Sequence, residues 1–306
     1  MGIAAVAAAL AMSAAACATT APTTTSTSAA ADGATVLPVA ASINAWGSIL
    51  TQLGGSHVQA ASIITNPDTD PHAYEPTPAD GRTIASAALF VENGIGYDPW
   101  AAKTLAASPD PNRMVIDVGQ LTGVAEGGNP HRWYSPTDVE KVADAITAGL
   151  KKADPADAGY YDARRQSFAT TGLARYHQLI ADIKARYAGT PVGASESIFA
   201  PLSDALGLNL ATPSSFLKAI SEGNDPSAAD KTTIDSQISG RQIKVYVFNS
   251  QNATPDVAAQ VAAAKKAGIP VTAVTETLSP AGASFQDWQA AQLQSLETAL
   301  AQATGK

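Results

Sequence analysis

The chain has 306 residues, more than one small core needs and enough for two domains of ordinary size. Hydrophobic residues make up 45% and charged residues 15%, the balance of a globular chain and not of a disordered one. A formal net charge of -8, with no Lys/Arg cluster, argues against nucleic acid as a partner and is compatible with a cationic ligand without pointing to one.

In chain order, residues 3–16 form an Ala-rich apolar run too short to span a bilayer as a mature helix. It ends in Ala14-Ala15-Ala16-Cys17, and Cys17 is the single cysteine, so intramolecular disulfides and multi-cysteine metal sites are excluded. Small residues before an isolated cysteine resemble the lipobox of bacterial lipoproteins, although Ala14 stands where Leu is usual and no Lys or Arg precedes the run. The resemblance implies that residues 1–17 are a signal peptide and lipobox, with Cys17 lipidated and anchoring the chain to a membrane. The alternative is an ordinary cleaved signal with an incidental cysteine. Both place the protein outside the cytoplasm. Residues 18–34, rich in Thr, Ser and Ala, lack the apolar surface that repays ordering and read as a flexible linker.

From Val36 onward, β-branched runs alternate with Ala-rich helical patterns. Strands are expected at 35–41, 58–64, 88–92 and 114–118, and helices at 44–53, 78–87, 100–107 and 136–151. Such alternation implies parallel strands with helical crossovers. Residues 155–187 then carry no strand signal, while Phe168, Leu173, Tyr176, Ile180, Ile183 and Tyr187 recur at helical spacing. One helix of roughly 30 residues is expected there, long for a globular domain, with Gly172 as its weak point. Strands resume at 191–195, 244–249 and 271–275, with helices at 198–206, 255–267 and 284–303. The fold class is α/β: an N-terminal lobe at 35–153, a connecting helix at 154–188 and a C-terminal lobe at 189–306.

Of the four histidines, His72 and His131 share a context. Each follows a proline, precedes an aromatic residue by two positions, and leads into a Thr/Ser-Pro-x-Asp helix start, with Thr77 and Ser135 as N-caps. Each therefore lies in a loop between a strand and a capped helix, where open α/β sheets bind ligands. Two imidazoles at one sheet edge suit a divalent metal ion, whereas a single such histidine more often serves its own loop. Two histidines without cysteine are too few for a tight site, so carboxylates must complete it. Glu196 and Glu276 each follow a strand of the second half directly and are the candidates; Asp68, Asp70, Glu75 and Glu92 compete from the first half. Taken singly, each glutamate also reads as a solvated strand-end acid, and Glu75 as a support for the His72 loop. His57, in a Gly-rich turn, and His177, beside the apolar stripe of the long helix, read as surface or partly exposed. Asn93-Gly94-Ile95-Gly96 lacks the third glycine of a dinucleotide fingerprint, and neither a His-Glu-x-x-His nor a Gly-x-Ser-x-Gly motif occurs.

At residues 70–80 and 129–136 the chain resembles the metal-binding solute-binding proteins of ABC importers, the family of zinc- and manganese-specific lipoproteins. The stretches 44–47, 93–100, 247–251 and 275–278 fit the same pattern, and the resemblance runs from about residue 36 to 303. It implies two Rossmann-like lobes with parallel sheets joined by a long backbone α-helix, and a metal held between them by His72 and His131 from the first lobe and Glu196 and Glu276 from the second. It also implies capture, not catalysis, by a monomer that delivers Mn²⁺ or Zn²⁺ as transported ligand to an ABC transporter permease. Zinc-type members commonly have a third His where this chain has Glu196, many members have Asp in place of Glu276, and the segment 120–128 lacks the His-rich loop of several zinc-type members. Exchanging imidazole for carboxylate hardens the site and moves the expectation toward Mn²⁺, although Zn²⁺ binds such sites more tightly in general. Binding should weaken as pH falls. Rival readings are a binder of metal chelates (siderophore or cobalamin type) on the same scaffold, an exported metal-dependent hydrolase, and an adhesin that keeps the fold without using the site.

Overall fold

A computed structural model describes residues 1–2, 36–67, 69, 74–252 and 254–306. Cys17, His72, Asp68 and Asp70, and with them the signal peptide beyond residue 2 and the whole linker, lie outside the described residues.

The first half runs β1 (Leu37–Ile43), α1 (Asn44–Gly54), β2 (Val58–Ile64), α2 (Pro78–Ser86), β3 (Leu89–Glu92), α3 (Pro99–Ala107), β4 (Met114–Asp117), α4 (Val118–Thr122) and α5 (Pro136–Ala153). Next come α6 (Ala158–Ser167) and α7 (Ala174–Tyr187). The second half runs β5 (Pro191–Ala194), α8 (Ala200–Leu206), β6 (Asn209–Leu210), α9 (Ser214–Ser221), α10 (Ala228–Ser239), β7 (Val245–Asn249), α11 (Pro255–Lys266), β8 (Val271–Val274) and α12 (Phe285–Thr304).

The strands form two four-stranded sheets, ordered β2-β1-β3-β4 and β6-β5-β7-β8, with every pairing parallel. Each sheet begins with an inner strand, steps to one side, then crosses back, so the order reverses between β1 and β3 and again between β5 and β7. The central strands are largely apolar because both faces are covered: residues 39–43 of β1 are all buried, with Ser42 the one polar side chain among them. One hydrophobic cluster runs from Val39 of β1 through Tyr176 of α7 to Leu300 of α12, and a smaller one joins Phe216, Ile234, Tyr246 and Val257 beneath the second sheet.

The capped helix starts form as expected. Thr77 accepts a hydrogen bond from the Asp80 backbone N–H while Asp80 accepts one from that of Thr77, and Ser135 caps α5 through the Asp138 N–H. The long helical segment differs from the expected single α-helix. At 168–172 it widens into a π-turn, in which the Leu173 N–H donates to Phe168 O at 2.8 Å. Phe168 and Leu173 are both buried but five positions apart, a spacing that an unbroken α-helix sends to different faces. One extra residue in the turn returns both to the core side. Residues 207–243 hold β6, α9 and α10, none of them expected: β6 has two residues, and α10 buries only Ile234 and Ile238.

Candidate metal centre

The carboxyl ends of the strands place the second-half carboxylates together. Glu196 stands two residues past β5, Asn249 ends β7 and Glu276 stands two residues past β8; the pairings Ala194↔Val247 and Asn249↔Val274 bring these three side by side. His131 approaches from the first half, on the turn that leads into Ser135 and α5.

His131 is wholly buried, and Glu196 and Glu276 are 2% and 7% exposed. The His131 Nε2 lies 3.2 Å from Glu276 Oε1. The Asn249 side-chain amide donates to both carboxylates, to Glu276 Oε1 at 3.1 Å and to Glu196 Oε1 at close range. Asn252 Nδ2 donates to Glu196 Oε2 at 2.8 Å, and the Tyr97 hydroxyl reaches from the first half to donate to Glu276 Oε2 at 3.1 Å. Three of the four residues proposed from sequence thus gather in one buried cluster.

The His131 ring is held from behind. Asn129 Oδ1 lies 2.8 Å from Nδ1, which fits an Nδ1–H donor and leaves the Nε2 lone pair toward Glu276. A nitrogen lone pair and a carboxylate oxygen then face each other at 3.2 Å, an arrangement that a shared cation satisfies. Asn129 also donates through Nδ2 to Ser197 O at 2.7 Å, tying the His131 turn to the residue after Glu196. Trp133 and Tyr97 pack edge-on to the imidazole, with centroids at 5.4 and 6.1 Å, and keep the surroundings dry. The Tyr134 hydroxyl donates to the backbone oxygen of Thr275, next to Glu276, at 2.9 Å. Outer partners of a metal-bound imidazole fix its tautomer, so Asn129→Ala is expected to cost about 10–100-fold in metal affinity with little loss of fold. Metal titration beside circular dichroism measures both.

The Asn93-Gly94-Ile95-Gly96 stretch serves the same architecture. Asp98 accepts the backbone N–H groups of Asn93 and Gly94 at 2.7 and 2.8 Å, and Asn93 bridges Trp46 Nε1 to Pro130 O, beside His131. Gly94 adopts φ 68°, and a Cβ there would stand 2.5 Å from Asp117 Oδ1, so glycine is required.

Burial, then the neighbouring Glu276 charge, raises the Glu196 carboxyl to about 7, against the lowering influence of His131 and the two amides. Among the described residues no Lys or Arg forms an ion pair with Glu196. Two carboxylates held close in a dry site, with amides in place of cations, suit a ligand that brings positive charge.

The first-half competitors fall elsewhere. Glu75 is exposed. Glu92 ends β3 beside Asp98 and Asp117 and is raised to about 7, by burial first and then by those two acids. His177 is partly exposed and 3.3 Å from Glu140. His57 is less exposed than its turn suggests, at 21% of its side chain, because it stacks on Tyr160. Asn129, Tyr97 and Asn249 fall in stretches that carry the resemblance and Asn252 stands just past one, yet none reads in the sequence as a support of the site; their convergence reveals the role.

Two parallel sheets of like order, with a buried imidazole and two carboxylates gathered at strand ends, define an α/β protein with one buried cluster of candidate ligands. The chain belongs to the family described as zinc-uptake complex component A, periplasmic, which matches it over residues 39–299. It is 26% identical over 137 residues to the manganese-binding lipoprotein MntA of Halalkalibacterium halodurans, covering 43% of this chain and 45% of that protein. To the iron-binding protein YfeA of Yersinia pestis it is 32% identical over 121 residues, covering 37% and 38%. The matched stretches thus span about half or less of these curated relatives. A crystal structure of ZnuA superposes with a TM-score of 0.68 at 23% identity, over 87% of this chain and 99% of that one, a likeness that shows the fold.

Proposed function

We propose that the chain captures a divalent first-row transition-metal ion outside the cytoplasm, through His72, His131, Glu196 and Glu276, and delivers it to an ABC transporter permease. The observation that carries the reading is the buried convergence of the His131 imidazole with the Glu196 and Glu276 carboxylates. Membership of the zinc-uptake family supports it, as do relatives named for binding manganese and iron. His72 completes the set on the strength of its shared sequence context with His131. The ion is Mn²⁺ or Zn²⁺, and the two carboxylates make the site more favourable to Mn²⁺ than an all-imidazole one. Four protein ligands leave little room for an activated water, so the reading is capture and not hydrolysis. The protein works as a monomer, anchored through lipidated Cys17; no helix among the described residues is long and apolar enough to cross a membrane. Calorimetric titration with Mn²⁺ and Zn²⁺, followed by elemental analysis of protein from its native host, tests the reading. No binding of either ion would overturn it.

Protons compete with the ion at this site. The metal needs Glu196 ionised, and its carboxyl sits at about 7 in the folded metal-free protein. Binding should therefore release roughly half a proton from Glu196 at pH 7, nearly one at pH 6 and almost none above pH 8. Affinity should fall about tenfold per pH unit below 7 from this group alone. The same raised value, against an ordinary 4.5, makes the metal-free fold less stable as pH rises from 4.5 to 7, because the folded state holds the proton more tightly. Calorimetry in buffers of differing ionisation enthalpy counts the protons; a release independent of pH between 6 and 8 contradicts the assignment.

A further inference from the structure

At the opposite end of the first sheet, His57, Asp154 and Asp157 form a cluster that the metal centre does not use. His57 lies in the turn just before β2 begins, whereas the metal centre lies where strands end. Asp154 and Asp157 lie in the junction between α5 and α6. α5 starts beside His131 and runs 18 residues to this junction, which sets the two places about 27 Å apart at 1.5 Å per residue.

We propose that His57, Asp154 and Asp157 form a second binding site, for a divalent first-row transition-metal ion, that clips the α1–β2 turn to the α5–α6 junction. His57 Nδ1 lies 3.0 Å from Asp157 Oδ2 and 3.9 Å from Asp154 Oδ2, and one ligand atom from each residue falls within 4.8 Å of the others. These separations bracket the edge of a tetrahedron around an ion with ligand bonds of ~2.1 Å, about 3.4 Å. A second observation is independent of the spacing. The Nδ1 atom is shielded from solvent, yet despite its nearness to Asp157 it makes no hydrogen bond of acceptable geometry. A shielded ring nitrogen within 4 Å of two carboxylates, yet hydrogen-bonded to neither, keeps its lone pair available to a metal ion.

The donors are also held in place. The His57 ring stacks on Tyr160 at 4.0 Å between centroids, and Tyr161 packs edge-on at 6.0 Å. The Tyr161 hydroxyl donates to Asp154 Oδ2 at 2.9 Å, and the Tyr160 hydroxyl accepts the Ser56 backbone N–H at 3.1 Å. Among the described residues no Lys or Arg is ion-paired with either aspartate: Lys151 turns to Asp162, and Arg164 to the backbone oxygen of Gln52. One imidazole and two carboxylates balance a dication, and water fills the remaining position.

Zn²⁺ binding counted by equilibrium dialysis tests this in the full chain, with His131→Ala removing the first site. Wild type should hold two ions, His131→Ala one, and His131→Ala combined with Asp157→Asn none. Zn²⁺ should raise the melting temperature of the single variant and leave that of the double variant unmoved. Should Asp157→Asn fold poorly, His57→Phe keeps the stack on Tyr160 and removes the donor. No binding to His131→Ala, or equal binding by it and the double variant, overturns the proposal. An ion that survives His131→Ala in a wild type holding only one, and is lost with Asp157→Asn, upholds this site and overturns the first.

Discussion

Replacing His131 with alanine is expected to lower Mn²⁺ and Zn²⁺ affinity at the metal centre by more than about 100-fold, beyond the loss typical of an outer-shell partner. The substitution removes the only imidazole that the described residues bring to Glu196 and Glu276, and it leaves both carboxylates buried against Asn249 and Tyr97. Thermal denaturation provides a second readout. An ion at 1,000 times its dissociation constant stabilises the fold by about 4 kcal/mol, on the order of 10 °C for a body of this size. That shift should vanish at low metal in His131→Ala, while the metal-free melting temperature changes far less. With Zn²⁺ the comparison is made in an Asp157→Asn background, which removes the second proposed site; a His131→Ala, Asp157→Asn variant that retains its metal-dependent shift would show that His131 is not a ligand.

Exchanging Glu196 for histidine is expected to move selectivity toward Zn²⁺, by about tenfold relative to Mn²⁺, because a softer imidazole replaces a hard carboxylate. The change also removes the Glu196 carboxyl that sits near 7, so proton release on binding should change its pH dependence. There is a cost in the metal-free state. Asn249 and Asn252 both donate to Glu196, and each amide that loses its acceptor costs about 1–3 kcal/mol. Glu196→His should therefore be less stable without metal and more zinc-selective with it. Competition titration reads the ratio of the two ions, and an unchanged ratio would remove Glu196 from the determinants of selectivity.

Much of the fold was legible in residue order. Alternating β-branched and Ala-rich segments identify parallel α/β architecture because a strand covered on both faces is mostly apolar, as β1 is with Ser42 its one polar side chain. Thr77 and Ser135 mark helix starts because a side-chain oxygen followed by proline and an acid satisfies local N–H groups whatever the surroundings. Residues 207–243 were not legible: short β6 and weakly apolar α10 are stabilised by what they pack against, and their own pattern is faint. The π-turn was foreshadowed by Gly172, the weak point of the expected helix, and by a five-residue step between Phe168 and Leu173.

For the candidate metal centre, the sequence by itself determined which residue types are available and which loops carry them. Proline beside His131, a capped helix after it, and glutamates two residues past β5 and β8 are local features, governed by interactions within a few residues. Only the tertiary structure decided that Glu196 and Glu276, eighty positions apart, share the Asn249 amide, that Asn129 orients the His131 ring, and that Glu92 belongs to a different acidic cluster. Strand order and register set those meetings, and register follows from the packing of whole sheets, which no short stretch of residues encodes. The Glu196 carboxyl makes the same point. Its chemistry is that of any glutamate in the chain, and burial beside a second carboxylate is what raises it to about 7.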